Sequence, residues 1–160
     1  MRIIDLSFLD KLTSEAKSSK RLRKHVNLHA NHLEPCQRII NAIEPQSYIR
    51  PHRHFSDPKV EFLTVLRGRF AVLFFDCVGE IDDIQMMSMH LCHDISSIEI
   101  YPEDWHTVIS LTSGSVLFET KSGPYENQNS KDLAAWAPEE GSVHSKQFLN
   151  FLISSLEEVS

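Results

Sequence analysis

The stretch PHRHFSDPKVEFLTVLRGRFAVLFFD, residues 51–76, carries the information that decides the fold. Its second half holds two apolar runs, 60–66 and 70–76, joined by Arg67-Gly68-Arg69. Two such runs rich in Val, Leu and Phe, separated by a short Gly-containing link, read as a β-hairpin. Side chains alternate along a strand, so Glu61, Leu63 and Val65 share one face and Phe62, Thr64 and Leu66 the other. By the same alternation His52 and His54 project together while Arg53 points away. Two imidazoles spaced in this way can reach one ion, and Glu61 can add a carboxylate if its face lines the interior.

The same texture extends in both directions. QRIINAI (37–43), IQMMSMH (84–90), ISSIEIY (95–101), HTVISL (106–111) and SVLFETK (115–121) are further short β-type runs. Turn residues punctuate them at Asp76-Cys77-Val78-Gly79-Glu80 and at Thr112-Ser113-Gly114. Seven runs between residues 36 and 120 imply an antiparallel sandwich or barrel of consecutive hairpins, and not βαβ units.

Both ends change period. Between residues 4 and 25, Leu6, Leu9, Leu12 and Ala16 recur at three- and four-residue spacing, which predicts an amphipathic helix. It runs into Lys20, Arg21, Arg23 and Lys24, read as a solvated helix end. Between residues 142 and 158, Phe148, Leu149, Phe151, Leu152 and Leu156 form one stripe, with Ser142 as N-cap, so a closing helix is expected against the barrel or another subunit. The expected layout is an N-terminal helical arm over 1–34, a β-barrel with the site over 35–126, and a polar linker (ENQNSKD) with the C-terminal helix over 127–160, forming one structural domain.

Composition excludes several classes. The chain has 160 residues, 41% hydrophobic and 24% charged, which suits one domain with a core of its own. Asp and Glu outnumber Lys and Arg by 22 to 16, a net charge of −6. That sign argues against a nucleic-acid partner. No run of eighteen apolar residues is present and the first twenty residues alternate charged with apolar, so membrane insertion and a signal peptide are not expected and the cytoplasm is the default compartment. Cys36, Cys77 and Cys92 are widely spaced without a CxxC and are read as small, mostly buried thiols.

The nine histidines are the anomaly. His106, opening the strand HTVISL after Trp105, can close the site begun by His52, His54 and Glu61 from across the barrel. Three imidazoles and a carboxylate suit a divalent first-row metal ion. His25, His29 and His32 are read as solvated loop residues, His90 and His93 as strand-end residues, and His144 as the start of the last helix.

With HxH, a Glu further on, six residues to a Gly and a late His after a Pro-containing turn, the chain resembles the two motifs of the cupin superfamily. More narrowly, RIINAIEP, RPHRH, EFLTVLRGRFAVLFFD, WHTVISL, GPYE and WAPEEGS are similar to the WbuC-type cupin fold metalloproteins of surface-polysaccharide (O-antigen) gene clusters. The resemblance implies a mainly β fold, the double-stranded β-helix or jelly-roll barrel, with flanking helices. It implies His52, His54, Glu61 and His106 as ligands of one divalent ion per chain, whether iron, manganese, nickel or zinc. Two departures stand out: the interval from His54 to Glu61 is long, and Tyr101-Pro102-Glu103-Asp104-Trp105-His106 lacks the usual Gly. Asp104 tolerates the unusual backbone angles such a turn needs.

The function implied is a metal-dependent cupin that binds or acts on a small polar metabolite, such as a sugar or nucleotide-sugar of surface-polysaccharide synthesis, by isomerisation or dioxygenation. A non-catalytic cupin with a structural or ligand-capturing metal is the alternative. Glu119 is the candidate acid or base. Arg38, Tyr48, Arg50, Trp105 and Tyr125 are candidate walls of the substrate cavity. Strand parity leaves open whether Arg38 or Asn41 faces inward, and Trp105 and Tyr125 serve equally well as packing aromatics. Spare apolar surface at both ends points to a homodimer.

Overall fold

The computed structural model describes residues 1–90, 92–126 and 131–156. The hairpin of the opening stretch forms as β4 (Glu61–Arg67) and β5 (Arg69–Phe75), linked by Gly68 alone. Gly68 has φ +82°, and a Cβ there would stand 2.1 Å from Ser115 Oγ. Only glycine satisfies both the left-handed backbone and that approach.

Around the hairpin the chain forms α1 (Leu6–Ser18), β1 (Arg23–Asn27), β2 (Cys36–Ile43), β3 (His52–Arg53), β6 (Ile81–Ser88), β7 (Ser97–Ile100), β8 (Trp105–Ser110), β9 (Ser115–Ser122), β10 (Asp132–Leu133) and α2 (Val143–Ser155). The strands make two five-stranded sheets, β1-β2-β9-β4-β7 and β10-β3-β8-β5-β6. Every pairing of named strands is antiparallel. All seven expected runs are strands, and the mainly β class with helices at both ends holds.

Hydrophobic burial explains the stacking. Ile43, Leu63, Val65, Phe70, Val72, Met87, Ile100, Val108 and Leu117 fill the space between the sheets. Helix α1 lays Leu9, Leu12 and Ala16 on Ile40, Ala42 and Val116, the outer face of the first sheet. Helix α2 lays Leu149, Leu152 and Leu156 on Ala71, Leu73, Phe75 and Ile109, the outer face of the second. Strand β5 is therefore covered on both faces, which accounts for its unbroken apolar sequence. Each fully buried Leu or Phe contributes about 1.5–3 kcal/mol.

Several expectations are corrected. Helix α1 stops at Ser18, and Leu22, at φ +53°, turns the chain into β1, so part of the segment expected to be a helical arm pairs with β2. In the basic run Lys20, Arg21 and Lys24 are exposed, as expected, but they lie beyond the helix end, and Arg21 and Arg23 both pair with Glu140 at 2.7 Å, joining the start of β1 to the segment before α2. A strand wins here because Arg23–Asn27 completes the ladder beside β2. On α2, Phe151 is 57% exposed and off the packed stripe, and Ser142 makes no side-chain capping bond. Leu6 is likewise exposed on α1. Cys36, Cys77 and Cys92 are all exposed; they sit at a strand end and in turns, where small polar-tolerant residues meet solvent. Residues 127–130 of the expected linker, residues 157–158 of the expected helix and Leu91 between the two strand-end histidines lie outside the described residues. Among the described residues no helix is long and apolar enough to cross a membrane.

Candidate metal centre

One sheet, and not the two sides of the barrel as expected, sets the first histidine of the HxH pair opposite the late histidine. His52 on β3 pairs in register with His106 on β8. Glu61 starts β4 in the other sheet, and His54 lies just past β3, its amide donating to the Pro102 carbonyl at 3.1 Å. One ligand atom from each of His52, His54, Glu61 and His106 falls within a mutual distance of 4.8 Å, and all four residues are buried. The imidazole centroids stand 4.5, 5.3 and 5.8 Å apart.

The turn lacking glycine is closed by a side chain. The Asp104 carboxylate accepts the Tyr101 amide at 3.0 Å, and the Asp104 amide donates to the Tyr101 carbonyl at 3.1 Å. Asp104 does not take a left-handed backbone; among the described non-glycine residues only Leu22 and Gln46 do. The unusual angles expected of Asp104 are replaced by a β-turn over residues 101–104 that its own side chain closes.

Backbone carbonyls fix two of the tautomers. His52 Nδ1 donates to the Arg50 carbonyl at 3.1 Å, and His106 Nδ1 donates to the Asp104 carbonyl at 3.0 Å. A carbonyl only accepts, so the proton of each neutral ring sits on Nδ1 and the Nε2 lone pair is left over. His52 Nε2 is buried with no hydrogen-bond partner among the described residues. His106 Nε2 faces Glu61 Oε2 at 3.2 Å, and His54 Nε2 faces the same oxygen at 3.5 Å. A lone pair opposed to a carboxylate oxygen needs a cation between them, a proton or a metal. The donor set therefore fits a divalent ion, with Nδ1–H to carbonyl bonds as the orienting partners such sites use. Burial, reinforced by the charge of Lys131, holds His52 well below the ordinary imidazole range, which keeps it neutral and able to ligate.

The cluster opens into a cavity of about 650 Å³ between the sheets, lined by His52, Glu61 and His106, by Ile43, Ile49, Leu63, Val108 and Leu117, and by Asn41, Glu119, Tyr125 and Lys131. A smaller chamber of about 230 Å³ shares His25, Asn41, Glu119, Tyr125 and Lys131 and adds Lys121, Gln37 and two histidines, His29 and His32. His29, read as solvated, is buried, and its Nδ1 accepts the Arg38 amide at 3.0 Å.

Of the candidate wall residues, Tyr125 and Glu119 are in the cavity and four are not. Arg38 lies on the outer face of β2 and pairs with Glu34, because Ile40 and Ala42 of the same parity pack under α1. Asn41, of the opposite parity, faces in. Trp105 precedes the inward His106 and so points out, where its ring stacks on Arg53 with the guanidinium carbon 4.5 Å from its centroid. Tyr48 packs beneath α2 and donates its hydroxyl to the Pro138 carbonyl at 2.8 Å, and burial raises it to about 12. Arg50 is spent on the Ala134 carbonyl.

Lys121 went unremarked in the sequence, yet it is the centre of the polar wall. Its Nζ lies 2.9 Å from Glu119 Oε1 and 3.5 Å from Glu61 Oε1. Glu119 Oε2 accepts from Asn41 Nδ2 at 2.8 Å. Burial opposes charge on Lys121, but Glu119 and Glu61 raise it above the ordinary lysine value. Burial also tends to raise Glu61, but Lys121 and His106 hold it well below the carboxylate range; for Glu119, burial and the neighbouring Glu61 prevail and raise it. The signal was available: Lys121 shares parity with Glu119 and Leu117 on one strand.

Residues 4–87 match the family model described as "Domain of unknown function (DUF6016)". No curated protein sequence matches the chain. Among solved structures, KdgF from Halomonas sp. aligns with TM-score 0.51 at 13% identity, covering 66% of this chain and 83% of that one. A cupin-2 domain protein from Rhodospirillum rubrum aligns with TM-score 0.51 at 11% identity, covering 80% and 78%. Oxalate decarboxylase from Lactobacillus farciminis aligns with TM-score 0.50 at 16% identity, covering 69% of this chain and 30% of that one. At these identities the likeness shows the fold, a cupin barrel.

Proposed function

The chain belongs to the family of domains of unknown function DUF6016, and from the chemistry of its cavity we propose that it is a metal-binding cupin that binds or acts on a small polar metabolite. The observation that carries this reading is the convergence of three imidazoles and one carboxylate within 4.8 Å, buried at the end of a cavity large enough for a small molecule. His52, His54, Glu61 and His106 would hold one divalent first-row ion, iron, manganese, nickel or zinc. Such an ion supplies Lewis acidity toward a substrate oxygen.

The chain's own residues supply the rest. Ile49, Leu63 and Val108 exclude water from the inner end, while Asn41, Glu119 and Tyr125 offer polar contacts to the ligand. Glu119, raised by burial, is the group that would hold a proton near the reacting atoms. The WbuC-type resemblance supports a sugar or nucleotide-sugar of surface-polysaccharide synthesis as ligand, with isomerisation, or dioxygenation on iron, as reaction class.

One observation favours a second reading, a non-catalytic cupin that captures a ligand. Both Glu119 oxygens are already engaged, by Asn41 and Lys121, so among the described residues the wall has no unoccupied acid. The acidic balance supports the cytoplasm as compartment, which cell fractionation tests. Phe62, Leu66 and Phe151, left exposed, support a homodimer; a sedimentation profile with only an 18 kDa species refutes it.

Elemental analysis of protein expressed in metal-replete medium is expected to find about one divalent ion per chain, lost in His54→Ala. No bound metal, together with no gain in thermal stability on adding divalent ions, would sink the metal reading. If His54→Ala keeps its fold but loses turnover, the ion is catalytic; a sharp fall in stability instead marks it as structural.

A further inference from the structure

A buried ammonium is costly unless it is paired, and an apolar residue of similar length would fill the same space without that penalty. Lys121 is such an ammonium, 6% exposed at the side chain, on the inner face of β9. The contacts that hold it link three strands: Glu61 on β4, Glu119 on β9 and, through Glu119, Asn41 on β2.

The two oxygens of Glu61 face different neighbours. Oε2 faces His106 Nε2 at 3.2 Å and His54 Nε2 at 3.5 Å; Oε1 faces Lys121. We propose that Lys121 is a positioning residue for the metal site: by holding Oε1 it turns Oε2 toward the imidazoles, so that the carboxylate is set before an ion arrives. This rests on the metal reading of the four ligands. Glu119 and Asn41 hold Lys121 in turn, which makes the three-strand ladder the support of a ligand that otherwise has free rotation about its side-chain bonds.

Positioning and plain charge compensation predict opposite signs. A cation 3.5 Å from a ligand oxygen repels a divalent ion; if compensation were its only role, removing it would tighten binding. Removing a positioning contact loosens binding and alters the ligand field.

The test is Lys121→Met combined with Glu119→Gln, which removes one charge of each sign and leaves no unpaired buried carboxylate at position 119. Co²⁺ affinity is measured by chelator competition, together with the visible Co²⁺ spectrum and the thermal stability of the metal-free protein. Loss of an orienting contact weakens metal binding by about 10–100-fold, with a shifted spectrum. Affinity equal to or tighter than wild type, with an unchanged spectrum, overturns the proposal while leaving the metal site standing. Failure of the wild type itself to bind Co²⁺ refutes the metal reading, and this proposal with it. If the double variant does not fold, Lys121→Gln decides: it keeps a donor toward Oε1, so an affinity near wild type supports positioning and tighter binding overturns it.

Discussion

His106 Nε2 stands 3.2 Å from Glu61 Oε2, and the two residues come from strands in opposite sheets. The contact spans the core, yet the Asp104 carbonyl has already claimed the proton of the ring. The pair is therefore complete only with a cation between them.

Glu61→Gln and His106→Ala each remove one member of that pair. Both are expected to lower divalent-metal affinity by more than the roughly 10–100-fold typical of losing an orienting partner. Isothermal titration with Zn²⁺ or Co²⁺ checks this; retained wild-type affinity in either variant would show that the cluster is not the binding site.

Gly68→Ala and Gly114→Ala separate strain from collision. Both glycines have φ near +80°, but a Cβ at Gly114 meets nothing closer than 4.0 Å, whereas at Gly68 it strikes Ser115 at 2.1 Å. Each substitution carries a backbone cost of about 1–3 kcal/mol. Gly68→Ala adds displacement of Ser115, so its urea midpoint is expected to fall further. Equal midpoints would remove the collision argument.

Helix α2 offers a contrast between neighbours. Leu152 is 1% exposed and Phe151 is 57% exposed. Leu152→Ala is expected to cost about 2–5 kcal/mol, and Phe151→Ala to stay within about 0.5 kcal/mol. Chemical denaturation of the two variants side by side decides it; a large loss at Phe151 would mean that this face is covered in solution.

The Glu140 clamp sets a pH dependence. Burial tends to raise Glu140, but hydrogen bonds from Arg21 and Arg23 lower it below its ordinary 4.5. A carboxylate depressed in the folded state contributes stability that is present above its unfolded value and lost as pH falls through its folded value. Glu140 is one-third exposed at the side chain, so the contribution is about 1 kcal/mol or less. Glu140→Gln should cost that amount at pH 7 and flatten the stability profile below about pH 4.5. An unchanged acid limb would show that the clamp does not persist in solution.

The strands were legible because their sequences carry the period of a pleated sheet between glycine-marked turns, and the four metal-site candidates because HxH, Glu61 and His106 sit at matching positions on them. What escaped was information held in pairing. Parity alone leaves Arg38 and Asn41 as alternatives, and only the burial of Ile40 and Ala42 under α1 turns Arg38 outward. Trp105 could have been set aside from its adjacency to His106, since neighbours on a strand face opposite ways. The pairing of Arg21 and Arg23 was hidden because their partner, Glu140, lies more than a hundred residues away. Lys121 was passed over because a lysine next to a strand end usually reaches water, and its burial follows from two carboxylates that only the folded sheet assembles.

Strand β5, sealed on one face by the sandwich interior and on the other by α2, has a consequence for how the cavity breathes. Its amides should be among the slowest in the chain to exchange with deuterium, and β8, hydrogen-bonded along it, shares that protection. His106 thus stands on the most persistent wall of the barrel. His52 and His54 instead hang from a two-residue strand with a loop beyond it. The cavity has one anvil-like side and one that can adapt, so capture of an ion should register chiefly as slowed exchange in residues 52–60.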